Sequence, residues 1–362
     1  MAETISFARG APSLDIIDVE GLKASAVEAL DQDPGGVTAY GTAVGYVPLR
    51  ELIAAEHGVK PEQVLVTNGS MQADAFLFDA LVGPGEPVVV ERPTYDRTLL
   101  GLQARGADIH MVELETDGID TAGLRRLLEG GLRPTFAHII PNFQNPAGYT
   151  LSLEKRQELL ELAAEYEFLI FEDDPYRLIR FSGEPLPTML EMDEGAGHVV
   201  YASSFSKTVC PGVRVGYLIG PEELIGRIVA AATNTYIAPN MLAEATVYRF
   251  CESGRVDESV RTVSAALAER VEALTGALAE HLPEAKFTAP EGGYFMWVEL
   301  PEGTDVAAMM KAAADKGVVF VDGDDFLIDG PGNMLRLAYS GVPADEIPEG
   351  VRRLAEAYRE VA

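Results

Sequence analysis

The sequence predicts an α/β protein: a large, mostly parallel sheet of seven strands with one antiparallel member, then a smaller α+β lobe. Two patterns carry this. From about residue 64 to residue 224, short apolar runs alternate with amphipathic helical stretches, as strand–helix–strand units do. Beyond Leu224 the pattern turns helical and is followed by three short apolar runs. With 362 residues and 47% hydrophobic content, the chain can bury two cores.

The elements follow in chain order. The first forty residues, with Pro12 and a helical stretch over 19–29, are expected to join the smaller lobe or to arm a neighbouring subunit. Strands are expected at 64–67, 87–91, 108–112, 135–140, 168–172, 198–202 and 214–219. Helices fall between them, among them 72–81, 97–105 and 152–166. A long amphipathic helix over about 258–282 precedes short strands at 294–300, 318–321 and 334–338. The expected division is an N-terminal arm with part of the small domain (1–39), a large domain (40–255) and a small C-terminal domain (256–362). No repeat or low-complexity tract interrupts them.

Composition narrows the function. The chain carries 28 basic and 57 acidic residues, a formal charge of −29. Nucleic acid and anionic membranes need a positive surface, so neither is an expected partner. No apolar run is long enough to span a membrane, and Met1-Ala-Glu-Thr lacks the basic start of a signal peptide. Two cysteines, Cys210 and Cys251, make no disulfide scaffold, and no Cys/His group has zinc spacing. The expectation is a cytoplasmic protein without a metal.

One segment is chemically distinctive: Ser204-Phe-Ser206-Lys207-Thr-Val-Cys-Pro-Gly-Val-Arg214. Lys207 follows an apolar strand, where desolvation would lower its pKa and free the amine to attack a carbonyl. Ser204, Ser206 and Arg214 around it would suit a phosphate. Aldehyde and phosphate together point to pyridoxal 5'-phosphate (PLP). If Arg214 is to reach the crevice past the strand ends, its strand must run antiparallel to the others.

The other parts that this chemistry needs can be sought at strand ends. A carboxylate must face the pyridine nitrogen; Asp173 is the candidate and the adjacent Asp174 the competitor. Tyr176 and Asn145 could bind the cofactor's 3'-oxygen. Thr67-Asn-Gly-Ser70-Met71 enters a helix whose N-terminus would suit an anion. Tyr95 could stack on the ring. Arg336, within an apolar strand, needs an anion such as a substrate α-carboxylate.

The ordered set Ser70, Tyr95, Asn145-Pro-Ala-Gly, Asp173-x-x-Tyr176, Ser204-x-Ser-Lys207, Arg214 and Arg336 resembles the fold-type I PLP-dependent aminotransferases of class I/II. The likeness covers nearly the whole chain and is closest to the 2-aminoadipate/kynurenine/aromatic group. It implies that Lys207 forms the Schiff base and that Asp173 pairs the pyridine nitrogen. Arg214, Ser204, Ser206 and the Ser70–Met71 turn would hold the phosphate, with Tyr95 on the ring and Asn145 and Tyr176 on the 3'-oxygen. Arg336 would take the substrate carboxylate, helped by Asn145 and the backbone at Gly10.

It further implies a homodimer in which Tyr40 reaches the partner's phosphate. The reaction implied is ping-pong transfer from an amino acid to a 2-oxo acid, with 2-oxoglutarate the expected acceptor. A lyase, decarboxylase, oxidase or cyclase on the same fold is the alternative. A DNA-binding regulator would need a module ahead of this domain, and the likeness begins by Ile5. The chain departs from the family's pattern at Ala147, Asp322-Gly323 and Arg9-Gly10, segments near the substrate side chain.

Overall fold

A computed structural model describes residues 4–329 and 332–362. Its main sheet has eight strands, one more than expected. Their order across the sheet is Val64–Thr67, Gly216–Ile219, Val199–Ser204, Leu169–Asp173, Phe136–Ile139, Pro87–Arg92, Asp108–Glu115 and Gly118–Ile119. The extra strand, Gly118–Ile119, is a two-residue edge paired antiparallel to Asp108–Glu115. Such a piece is too short for any periodicity to announce. The expected single antiparallel strand is therefore corrected to two, because Gly216–Ile219 also runs against both its neighbours.

The parallel strands are buried on both faces, which is why they read as unbroken apolar runs. Alternation still sorts their side chains. Val200, Ala202 and Phe171 enter one core with Leu77, Phe78 and Ile228. Tyr201 faces the opposite core, with Leu49, Ile53 and Phe250. The antiparallel return matters most for function. Ser204 pairs with Gly216, so the turn between them brings Arg214 back to the end of the sheet where Lys207 lies.

The smaller sheet is antiparallel, ordered Lys286–Phe287, Phe295–Glu299, Met334–Ala338 and Val321–Asp322. The helices Arg255–His281 and Ile347–Val361 pack together above it, contributing Leu267, Leu274, Val351 and Leu354 to its core. The N-terminal segment divides between the two bodies. Ile5–Ser6 pairs in parallel with Val318–Val319, and Phe7 is fully buried in the small core. The helix Val19–Gln32, capped by the Asp18 carboxylate on the Gly21 N–H, lies instead against Met241–Glu252. Among the described residues, no helix is long and apolar enough to cross a membrane.

Candidate active site

Lys207 sits just past the Val199–Ser204 strand, walled by Tyr176 and Tyr294. Its Nζ lies 5.5 and 5.1 Å from their ring centroids and donates to the Gly10 carbonyl at 2.8 Å. Burial pushes its pKa down to about 8, and the nearby guanidinium groups of Arg336 and then Arg214 push the same way. The amine is thus far easier to deprotonate than an ordinary lysine. It opens on a cleft of ≈ 140 Å³ at the sheet end.

The two adjacent aspartates part company at this cleft. Asp173 ends its strand facing Lys207's side, with Oδ2 3.6 Å from His138 Nε2 and Oδ1 buried without a hydrogen-bond partner. Asp174 turns the other way; both its oxygens accept from the Asn142 amide at 3.0 Å. Only Asp173 lines the Lys207 cleft. A buried carboxylate oxygen left unpaired costs free energy unless something with a proton fills the space before it.

At one end of the cleft the backbone builds an anion cradle. The helix Ser70–Leu81 begins without any side-chain cap, and its Gln72 N–H bonds back to the Gly69 carbonyl at 3.1 Å, which leaves the Ser70–Met71 turn to meet an anion. Arg214 Nη1 donates to Ser206 Oγ at 3.3 Å, and Ser206 in turn meets Ser204 Oγ at 2.8 Å. Ser204 also donates toward the Val215 carbonyl at 3.3 Å, so it braces Ser206 as well as lining the cleft. Gly69, at φ +86°, lets Arg214 close in: a Cβ there would stand 2.4 Å from Nη2. Arg214 itself is held at φ 51°.

At the other end lies Arg336, 7% exposed, clamped between the rings of Phe295 (4.5 Å) and Phe326 (4.8 Å). Its Nη1 donates to Asn145 Oδ1 at 2.9 Å and its Nη2 to the Ala8 carbonyl at 2.7 Å. Its Nε is buried and unpartnered. Tyr95 and Tyr176 complete the walls, with burial pushing the Tyr95 hydroxyl up to about 12 and Tyr176 well above its usual value. Met71 lies at the rim within 3.9 Å of the Tyr95 hydroxyl.

The donors fit PLP. A cation and an uncapped helix start suit a phosphate, the orphaned Asp173 oxygen suits a pyridinium N–H, and a readily freed amine suits an aldehyde. Of the residues expected from sequence, the cleft gathers Ser70, Met71, Tyr95, Asn145, Asp173, Tyr176, Ser204, Ser206, Lys207 and Arg214. Gly10 and Arg336 touch it through Lys207 and Asn145. Tyr40 is the exception: it is 90% exposed and lies away from this chain's cleft, beside Pro239 and Asn240.

Three contributors escaped the sequence reading. His138 is fully buried beside Asp173, but one histidine in an apolar strand looks like ordinary core. Asp74 lines the cleft one helical turn beyond Ser70, its Oδ1 unpartnered, its pKa raised well above the usual value by burial and by Asp173. An acidic residue among Ala73, Phe76 and Leu77 was the available signal. Tyr294, whose hydroxyl donates to the Lys207 carbonyl at 3.1 Å, carried none.

Known proteins match the whole chain. Residues 3–354 match the family described as aminotransferase class I and II. The aromatic-amino-acid aminotransferase 1 of Thermococcus litoralis is 33% identical, over 99% of this chain and 89% of its own. The α-aminoadipate aminotransferase LysN of Thermus thermophilus, solved with N-(5'-phosphopyridoxyl)-L-leucine, superposes with a TM-score of 0.95 at 32% identity, covering 99% of this chain and 92% of its own. The multiple substrate aminotransferase of Thermococcus profundus gives 0.94 at 35%, with the same coverage.

Proposed function

The chain belongs to the class I and II aminotransferases, and from that premise we propose how its cleft divides the work. The protein is a PLP-dependent enzyme that moves an amino group from an amino acid to a 2-oxo acid by a ping-pong route. When bound, PLP supplies an aldehyde that condenses with amines and a ring that accepts electrons from the bond broken at the substrate's α-carbon. The chain's own residues do the rest.

Lys207 holds the cofactor between turnovers and, once displaced, takes the proton from the substrate's α-carbon. The observation that carries this reading is its lowered pKa of about 8 in a cleft shared with the unpaired Asp173 oxygen. Asp173 keeps the ring nitrogen protonated, and His138 steadies Asp173. Arg214, Ser206, Ser204 and the Ser70–Met71 turn receive the phosphate, with Tyr95 against the ring. Asn145 and Tyr176 take the 3'-oxygen. Arg336 receives the α-carboxylate on its free Nε side, and Asn145 and Ala8 hold its other two nitrogens. An α-carboxylate held fast by Arg336 would be kept from leaving, which favours amino transfer over decarboxylation.

The same reading extends to the assembly. We assign residues 40–255 to a large cofactor domain, 256–362 to a small one and 1–39 to an arm. The exposed Tyr40 ring suits a homodimer in which it reaches the partner's phosphate site. Two free thiols suit the cytoplasm. The relatives' names point to an aromatic amino acid or 2-aminoadipate as donor; 2-oxoglutarate is the acceptor we propose.

The test is a visible absorbance spectrum of the purified protein with amino acids added singly, without acceptor. A band that bleaches with one donor and returns with 2-oxoglutarate supports the assignment and ranks the donors. Release of carbon dioxide or uptake of oxygen would overturn it in favour of another PLP chemistry.

A further inference from the structure

A second cavity, ≈ 360 Å³, lies across the strand end from the cofactor cleft, on the side to which Asp174 turns. Its wall is aromatic. His57 packs against Tyr201 with centroids 4.9 Å apart and against Tyr217 at 5.7 Å, and Tyr217 meets Phe205 at 5.8 Å. His57 is neutral at physiological pH, its pKa pushed down to about 4 by burial and by Arg177. It contributes no positive charge.

The rim is acidic. Glu56 ends one helix and Asp257 begins another, and they face the cavity together. Glu56 is pushed above its usual pKa by burial and by Asp257, and neither carboxylate has a cationic partner among the described residues. The wall's one guanidinium, Arg177, is committed to Glu191 at 3.1 Å. An independent observation points to a ligand. His57 lines this cavity with its Nδ1 buried and without a hydrogen-bond partner, and Tyr201, only 2% exposed, has no partner for its hydroxyl among the described residues.

Aromatic faces with uncompensated carboxylates are the chemistry that recognises an organic cation. We propose that this cavity is a second binding site, separate from the cofactor cleft, for a small organic ammonium ion. The His57–Tyr201–Tyr217 wall takes its alkyl groups, Glu56 and Asp257 take its charge, and the Tyr201 hydroxyl meets a polar substituent. Pro175 and Ser204 line both cavities, so an occupant here touches the same strand ends that carry the cofactor site.

The probe is choline, a quaternary ion that has no N–H and so cannot condense with the cofactor's aldehyde. Calorimetric titration of the cofactor-loaded enzyme should show saturable one-site binding that equal sodium chloride does not reproduce. The double variant Glu56→Gln/Asp257→Asn should weaken it about tenfold, and Tyr201→Phe a few-fold. Arg336→Gln, in the cofactor cleft, should leave it unchanged. No heat beyond that of sodium chloride, equal affinity in the double variant, or loss of binding in Arg336→Gln would each overturn the proposal.

Discussion

Arg214 and Arg336 stand at opposite ends of one cleft and are held in opposite ways. Arg214 is exposed, and its side-chain partners, Ser206 and Pro211, lie eight and three residues away. Arg336 is buried, and its partners Asn145 and Ala8 are 191 and 328 residues away. One end closes its side-chain hydrogen bonds within a single loop, which meets the Ser70–Met71 turn at the same sheet end. The other exists only when both bodies and the N-terminal strand are in place. The phosphate end should therefore tolerate distant damage that the carboxylate end cannot.

Substitutions can break that comparison. The largest effect belongs to Lys207, which serves both ends: Lys207→Ala should lower amino transfer by about 10⁴-fold or more, read as a missing absorbance change on donor addition. The protein should still capture the cofactor, because the Arg214 end is untouched. Next is Arg336→Gln, which would remove the proposed charge-assisted anchor for the carboxylate. We expect kcat/KM for the amino acid to fall about 100-fold while cofactor affinity, compared at a pH where Lys207 is neutral in both proteins, holds. Arg214→Gln should do the reverse, weakening cofactor affinity about tenfold by fluorescence titration, with little change in the amino-acid KM once cofactor saturates. If both variants lose both properties, the two ends are not separable.

A pH series sharpens the comparison at smaller scale. The lysine's pKa is lowered, so its neutral form accumulates from about pH 8 rather than above pH 10. Cofactor capture by the apoprotein should rise about tenfold per pH unit below pH 8 and level off above it. In Arg336→Gln the neighbouring cation is gone, so that plateau should move to higher pH. The smallest effect is at Asp74, whose carboxyl pKa is pushed well above its usual value by burial and by Asp173. Asp74→Asn should keep cofactor affinity within about threefold. A much larger loss would mean that Asp74 works as a carboxylate.

The same asymmetry governs what could be read from the chain alone. The phosphate end is nearly contiguous, so Ser204, Ser206, Lys207 and Arg214 were visible as one run, and the antiparallel return of their strand followed from needing Arg214 in the crevice. Arg336 was visible only as a charge stranded in an apolar strand, and its clamp between Phe295 and Phe326 was not visible at all. Which of Asp173 and Asp174 faces the cleft depends on side-chain direction at a strand end, which adjacent identical residues cannot reveal. Gly118–Ile119 pairs through its backbone and left no pattern. His138 and Asp74 matter through what lies across from them, and spacing carries no trace of that.

The bond between the Ala8 carbonyl and Arg336 also sets an order in time. Ala8 is synthesised 328 positions before Arg336. At about 5–20 residues per second, the interval is tens of seconds. The large sheet can gather its anion cradle before Arg336 is made, while the Ala8 carbonyl waits for its guanidinium. The residues proposed to hold the cofactor are thus all in the chain before the one proposed to hold the substrate carboxylate.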